Sequence, residues 1–190
     1  MLEALLATFA LVAASEMGDK TQILAFSLAT RYRKPGAVLA GIAVSTVALN
    51  LLASTIGVWL ASRVPPRGLA LAIAALFLGF GIWTLRGQDE EQASAGSASS
   101  RGAFLTTAGL FFVAELGDKT QVAAVALAAQ YHSVVAVTTG ATLGMLVADG
   151  LAVLLGERLA GRIPMRRVRQ GTAALFIAFA AIALYRALAG

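Results

Sequence analysis

Residues 11–28 read LVAASEMGDKTQILAFSL, an apolar run interrupted at its centre by Glu16-Met17-Gly18-Asp19-Lys20-Thr21-Gln22. The apolar character extends from about residue 4 to 30. As one helix that stretch measures roughly 40 Å at 1.5 Å per residue, with its charges near the middle and too far from either end to snorkel out. A second stretch, LFFVAELGDKTQVAAVAL at residues 110–127, carries the same cluster as Glu115-Leu116-Gly117-Asp118-Lys119-Thr120-Gln121. Each charge at a bilayer centre costs about 2.5–3.5 kcal/mol, so the six together represent about 15–20 kcal/mol if left unpaired. They must face a protein interior or a water-filled cavity.

Composition sets the solvent in which these charges are embedded. Of the 190 residues, 58% are hydrophobic and only 13% charged, and the mean hydropathy is strongly positive. That is more apolar surface than a water-soluble domain of this length can bury. Six spans of roughly 20 residues or more can be marked, at about 4–30, 36–62, 68–86, 103–130, 134–157 and 170–188, giving an all-α polytopic membrane protein. The net charge of +5 does not indicate nucleic acid: nearly all the arginines sit at the ends of apolar runs, with no basic helix face and no aromatic interleaving. With no cysteine and one histidine, disulfides and soft-ligand metal sites are excluded or disfavoured. The first run is not expected to be a cleaved signal, because its start carries Glu3 in place of Lys or Arg.

Sorting the basic residues by loop places Arg31, Arg33, Lys34, Arg86, Arg101, Arg158, Arg162, Arg166, Arg167 and Arg169 on one side, and Arg63, Arg67 and Arg186 on the other. The positive-inside rule then puts the richer side in the cytoplasm and both termini outside it. The segment 87–102, GQDEEQASAGSASSRG, has no apolar period and reads as a flexible cytoplasmic linker between two halves, 1–86 and 103–190. A bacterial inner membrane is the simplest location.

The halves are copies. A shift of 99 residues lays 5–65 on 104–164 without a gap, with 23 of 61 positions identical. Glu16 falls on Glu115, Gly18 through Gln22 on Gly117 through Gln121, Gly41 on Gly140 and Asn50 on Asp149. Three spans per copy is an odd number, so the second copy enters from the opposite face as an inverted repeat, an architecture characteristic of transporters. Drift would erase polar intramembrane residues faster than apolar ones, yet the polar heptad is the best-matched stretch.

The chemistry of the cluster follows from its donors. In an unbroken helix Glu16 and Asp19 are neighbours on one face, Gln22 continues the strip, and Lys20 meets Glu16 one turn on. Gly18 and Gly117 allow close backbone approach or an unwound turn that exposes carbonyl oxygens. Each cluster sums to −1, and two clusters to −2, which suits one divalent cation. Carboxylate, amide, hydroxyl and backbone oxygens form a hard set suited to Ca²⁺, Mn²⁺ or Mg²⁺. Two protons can replace the ion on the same carboxylates. The candidate ligands are Glu16, Asp19, Gln22, Glu115, Asp118 and Gln121, supported by Gly18, Lys20, Thr21, Gly117, Lys119 and Thr120. Asn50 and Asp149 can complete the shell. The plain structural alternative pairs Glu16 with Lys20 and Glu115 with Lys119 as salt bridges inside each motif.

At these residues the chain resembles the family of bacterial, chloroplast and Golgi manganese/calcium exchangers defined by two Glu-x-Gly-Asp-Lys/Arg-Thr/Ser motifs, which includes bacterial manganese exporters. The resemblance covers essentially the whole chain. It implies an antiporter exporting Mn²⁺, with Ca²⁺ as a second candidate, in exchange for protons, the ion being substrate and no cofactor being needed. Two other classes compete with this one. An intramembrane aspartyl protease would use the Gly18-Asp19 and Gly117-Asp118 steps as a dyad, but a lysine beside each Asp disturbs a shared proton. An exporter of a cationic amino acid fits the charge, but two near-identical oxygen sets suit a spherical ion better.

Overall fold

The computed structural model describes residues 1–86, 100–159 and 165–189. Among them all regular structure is helical: α1 Leu2–Glu16, α2 Lys20–Tyr32, α3 Pro35–Ala61, α4 Pro66–Arg86, α5 Ser100–Glu115, α6 Lys119–Tyr131, α7 Val134–Leu159 and α8 Met165–Ala189. Four expected spans, 36–62, 68–86, 134–157 and 170–188, correspond to the single helices α3, α4, α7 and α8. The other two are corrected: 4–30 and 103–130 are each divided, at residues 17–19 and 116–118. At 15 residues α1 is about 22 Å long, less than the roughly 30 Å of a hydrocarbon core, and α2, α5 and α6 are of similar length. Pro35–Ala61, Val134–Leu154 and Gln170–Leu188 are long and apolar enough to cross a membrane, and Pro66–Ile82 is a shorter apolar helix. Of the expected linker 87–102, residues 87–99 lie outside the described residues. The last three, 100–102, already belong to α5, since Ser100-Arg101-Gly102 contains no proline to keep the helix from extending back from the apolar run.

The two halves are interleaved. The broken-helix pieces α1 and α2 pack on α7, while α5 and α6 pack on α3; α3 crosses α7, and α4 pairs with α8. A shift of 99 residues exchanges the α1 and α2 contacts on α7 with the α5 and α6 contacts on α3, and maps the α3–α7 and α4–α8 pairs onto themselves. The halves also end their second pieces alike: Arg33 and His132 stand in the left-handed region at φ 50° and 51°, donating their backbone N–H groups to Ala29 O and Ala128 O.

The long helices are arranged inside-out relative to a soluble protein. On α3 the exposed face carries Val44, Val47, Leu51, Ile56 and Trp59, whereas Ser45, Thr46, Asn50 and Ser54 are buried. Water would reverse that order, and lipid favours it. Ser45 and Thr46 donate their hydroxyls back to the Gly41 and Ile42 carbonyls, which lets a hydroxyl sit in an apolar interior. Between α4 and α8 the contact is aromatic, with Phe77 and Phe176 ring centres 6.0 Å apart and Phe80 and Phe176 5.6 Å apart.

Two repeat-related glycines set the approach of the broken helices. A Cβ on Gly140 of α7 would lie 2.5 Å from the Leu5 carbonyl oxygen of α1. A Cβ on Gly41 of α3 would lie 2.8 Å from the Phe104 carbonyl oxygen of α5. Backbone carbonyls cannot swing aside as side-chain tips do, so one methyl group must push the helices apart. Gly140→Ala is therefore expected to lower the thermal stability of the detergent-solubilised protein by about 1–3 kcal/mol, as overpacking does. Gly79→Ala, where nothing lies within 4 Å, is expected to leave the melting temperature unchanged or slightly raised. Equal losses from both substitutions would contradict this assignment.

Candidate cation site

The order of residue types in the motif explains the helix break. Glu16 is the last residue of α1; Met17 turns to an extended conformation with ψ 113°, and Gly18 adopts φ 77°. Asp19, at φ −84° and ψ 168°, then caps α2. Gly117 at φ 78° and Asp118 at φ −71°, ψ 168° repeat the turn. A left-handed residue other than glycine would cost about 1–2 kcal/mol, which accounts for the glycine in third place. The Asp19 N–H donates to Glu16 O and the Asp118 N–H to Glu115 O, each at 3.1 Å, so part of the freed backbone is satisfied inside the turn. Thr172 of α8 donates its hydroxyl to the Ala14 carbonyl at 2.6 Å, satisfying part of the end of α1.

The break also redirects the side chains. Thr21 donates to Glu16 Oε2 at 2.9 Å and Thr120 to Glu115 Oε2 at 3.3 Å, so each motif threonine steadies its own glutamate. Lysine, however, does not meet the glutamate of its own motif. Lys119 Nζ lies 2.7 Å from Asp19 Oδ1, and Lys20 Nζ lies 3.1 Å from Asp118 Oδ1. The intramotif pairs Glu16–Lys20 and Glu115–Lys119 of the structural alternative are thus replaced by crossed pairs between motifs. The reason is the turn at Gly18 and Gly117, which removes the continuous helix that a one-turn pairing requires.

Three carboxylates converge: oxygens of Glu16, Asp19 and Asp118 all lie within 4.8 Å of one another. A cation bound at about 2.3–2.6 Å accommodates oxygens up to about 5 Å apart on opposite sides, so this spacing fits one hard ion. Glu115 is outside that group of three but lies close enough to feel the charges of Glu16 and Asp118. Glu16 and Glu115 are fully buried. One oxygen on each of Glu16, Asp19, Glu115 and Asp118 is buried with no hydrogen-bond partner. Within the Asp pairs the lysine takes Oδ1 and leaves Oδ2 without a partner. Every motif acid therefore keeps one oxygen uncommitted, where an uncompensated buried carboxylate is costly.

The remaining expected residues divide. Gln22 is committed: its Oε1 accepts the Gly18 N–H at 2.8 Å and its Nε2 donates to the Ala148 carbonyl of α7 at 2.9 Å. Gln121 donates through Nε2 to Asn50 Oδ1 at 3.5 Å, which leaves its own Oε1 available. Asn50 donates to Thr142 Oγ1 at 3.3 Å and to Met145 Sδ at 3.6 Å, so it serves first as a junction between α3, α6 and α7. Asp149 is fully buried, neither of its oxygens has a partner, and it feels the charges of Glu16 and Asp19. With Asp149 included, five carboxylates face two lysines, a sum of −3 when all are ionised. Sequence reasoning missed Thr142, Met145 and the Ala148 carbonyl. A signal existed for the first two: Thr142, Met145 and Asp149 stand at i, i+3 and i+7 and share one face of α7.

Comparison with known proteins places the chain among relatives. A family model described as divalent cation/proton antiporter GDT1 matches residues 4–92 and 103–190. A Vibrio cholerae protein named "Putative manganese exporter" is 41% identical over 172 residues, covering 89% of this chain and 84% of that protein. A Synechocystis protein named GDT1-like protein sll0615 is 34% identical over the full length of both chains. The rice GDT1-like protein 3 is 29% identical, across 94% of this chain and 72% of its own length. No solved structure matches the chain.

The crossed pairs differ in burial, and this sets up a test. The Lys119 side chain is 9% exposed and that of Lys20 43%. Breaking a buried pair from one side strands its partner and costs about 3–5 kcal/mol; both aspartate side chains are nearly buried, at 9% and 7% exposed, but water that reaches Lys20 screens its pair, so less is forfeited there. Lys119→Met is expected to lower thermal stability markedly in metal-free buffer, and Lys20→Met much less. Adding Asp19→Asn to Lys119→Met should recover most of the loss. A double variant as unstable as Lys119→Met alone would show that the pair is not the source.

Proposed function

From the premise that this chain belongs to the GDT1 family of divalent cation/proton antiporters, we propose that it exports Mn²⁺, and secondarily Ca²⁺, from the cytoplasm in exchange for protons. The chain is an integral membrane transporter of cations and not an enzyme, so the aspartyl protease reading is set aside. The observation that carries the finer reading is the convergence of Glu16, Asp19 and Asp118 with an uncommitted oxygen on each.

In this reading the ion is substrate. Glu16, Asp19, Glu115 and Asp118 supply the charged oxygens, and Gln121 Oε1 adds a neutral one. Gln22 acts from behind, holding the Gly18 turn against α7. Each lysine binds the aspartate of the other motif and so fixes the distance between the two turns. Helix ends add to the same polarity: α1 and α5 end at the glutamates, their carbonyl ends favouring a cation, while α2 and α6 begin at the aspartates and favour anionic oxygen. When the ion leaves, the carboxylates must be neutralised in another way, and two protons balance one divalent charge. Ion and protons therefore compete for one set of oxygens, the requirement for exchange.

The membrane arrangement proposed is six spans, with α1–α2 and α5–α6 each crossing as one interrupted span, in two inverted units 1–86 and 103–190. Both termini then lie outside the cytoplasm, and the membrane is a bacterial inner membrane. Alternating access arises as the units rock about the site. The supporting observation is the packing of each unit's broken helix on the other unit's long helix, which makes the site a property of the interface.

Purified protein in liposomes is expected to accumulate Mn²⁺ when a proton gradient runs the opposite way, and not to do so when the gradient is collapsed. Loss of one charged ligand worth 1.4 kcal/mol or more lowers affinity at least about tenfold. Glu16→Gln and Asp118→Asn should each depress initial rates at submicromolar ion accordingly. Transport that persists unchanged in both variants overturns the site assignment, and transport indifferent to pH overturns the exchange.

A further inference from the structure

Away from the motifs, a cavity of about 420 Å³ opens where α3 ends, α4 begins, and α6 and α8 end. Its floor is apolar, including Leu69 and Ile73, and its mouth carries Arg67, His132 and Arg186. Among the described residues, no carboxylate lines it. Among the same residues, neither arginine has an acidic partner within ion-pair distance. Arg186 lies over the Tyr131 ring at 5.8 Å, and Glu3 is near enough to Tyr131 to act on it electrostatically without bridging the guanidinium. Gln130 lines the same cavity with both Oε1 and Nε2 buried and unpartnered.

Arginines at helix ends ordinarily need no ligand, and Arg63 shows the ordinary case, stacked on Trp59 at 5.1 Å on the outside of the molecule. The cavity differs because it sets two guanidiniums around a recess whose buried amide is also unsatisfied. A cation is excluded by charge, so this is not an extension of the ion path. A phosphodiester matches the rim, since guanidinium presents paired N–H donors to phosphate oxygens. A glycerol headgroup would add hydroxyls able to donate to Gln130 Oε1 while phosphate accepts from Nε2. The apolar floor takes acyl chain. Basic pockets between membrane helices form lipid headgroup sites on the cytoplasmic side of membranes, and in the proposed topology this one offers the same chemistry to the opposite leaflet.

We propose that this cavity is a binding site for an anionic phospholipid, with the headgroup phosphate held by Arg67 and Arg186 and the headgroup hydroxyls by Gln130. The proposal rests on the chain's place in a membrane and not on the ion it carries. Lipid binding is therefore read out separately from transport.

The test uses the full chain purified in a neutral detergent, titrated with phosphatidylglycerol, with phosphatidylcholine and with inorganic phosphate, following melting temperature and native mass spectra. Phosphatidylglycerol is expected to raise the melting temperature and leave one retained lipid, with phosphatidylcholine and inorganic phosphate giving no rise at matched concentration. The Arg67→Gln/Arg186→Gln variant should need at least about tenfold more phosphatidylglycerol for half the effect, two lost charge-assisted contacts being worth that much. Arg63→Gln, at the same membrane edge but outside the cavity, should respond as the unaltered protein does. Should the double variant prove too unstable to purify, Gln130→Leu, which removes the amide and leaves that part of the lining apolar, is expected to lower the fraction of retained lipid. The proposal falls if Arg63→Gln weakens binding as much as the double variant, or if Gln130→Leu retains lipid undiminished. It also falls if inorganic phosphate reproduces the whole effect, which would assign the site to a free anion.

Discussion

A carboxylate cannot remain charged in an apolar interior without a cation, a hydrogen bond or water, and this chain gathers five in one region, Glu16, Asp19, Glu115 and Asp149 buried and Asp118 partly so. The breaks at 17–19 and 116–118 bring two motifs face to face at their turns and place aspartates on helix starts. Crossed lysines neutralise one oxygen of each aspartate. Motif threonines donate to one oxygen of each glutamate. These devices account for half of the carboxylate oxygens of the motif acids and leave the other half exposed to whatever enters. A fold that needed only stability would have paired the rest.

Membrane burial also explains why the packing looks as it does. Lipid gives no hydrophobic drive between helices, so close contact must come from small residues and from polar groups kept inside. Gly41 and Gly140 admit the broken helices to backbone contact, and Asn50 ties α3 to α6 and α7 through its amide. The outward faces are left to valine, leucine and isoleucine. The consequence for function is that the site lies on the seam between halves, where a relative movement of the halves changes its shape directly.

Much of this was legible in the residues because the two motif copies stand in a gapless register. The register fixed which positions correspond, the apolar runs matched the four unbroken helices, and the charge in the apolar runs marked the acids that the structure brings near one another. What could not be read was the partner of each lysine. On a continuous helix Lys20 meets Glu16, and only the positive φ of Gly18 and Gly117 sends it across to the other motif. Gly18 advertised that conformational freedom, but glycine spacing does not say whether the freedom is used to turn or to pack. The engagement of Gln22 with the Ala148 carbonyl was equally hidden, because a backbone acceptor leaves no trace in residue type. Of the linker 87–102, residues 87–99 lie outside the described residues, as does Arg162 among the basic residues that gave orientation in the sequence.

The near-symmetry of the site makes its departures from symmetry informative. An ammonium near the middle of an interrupted span cannot be exposed to lipid without a cost of several kcal/mol, so the 43% exposure of Lys20 means that its side of the site is wet. Lys119, at 9%, is dry, and its bond to Asp19 is correspondingly shorter, 2.7 Å against 3.1 Å. Two copies of one motif thus stand in two different environments in a single conformation. In the proposed cycle, the opposite state is obtained by exchanging these environments, with Lys20–Asp118 closing as Lys119–Asp19 opens. The exchange cannot be energetically neutral: Asp149 in α7 answers a neutral Asn50 in α3, so the two states bury the extra charge differently. That difference gives an otherwise symmetric device a preferred resting side.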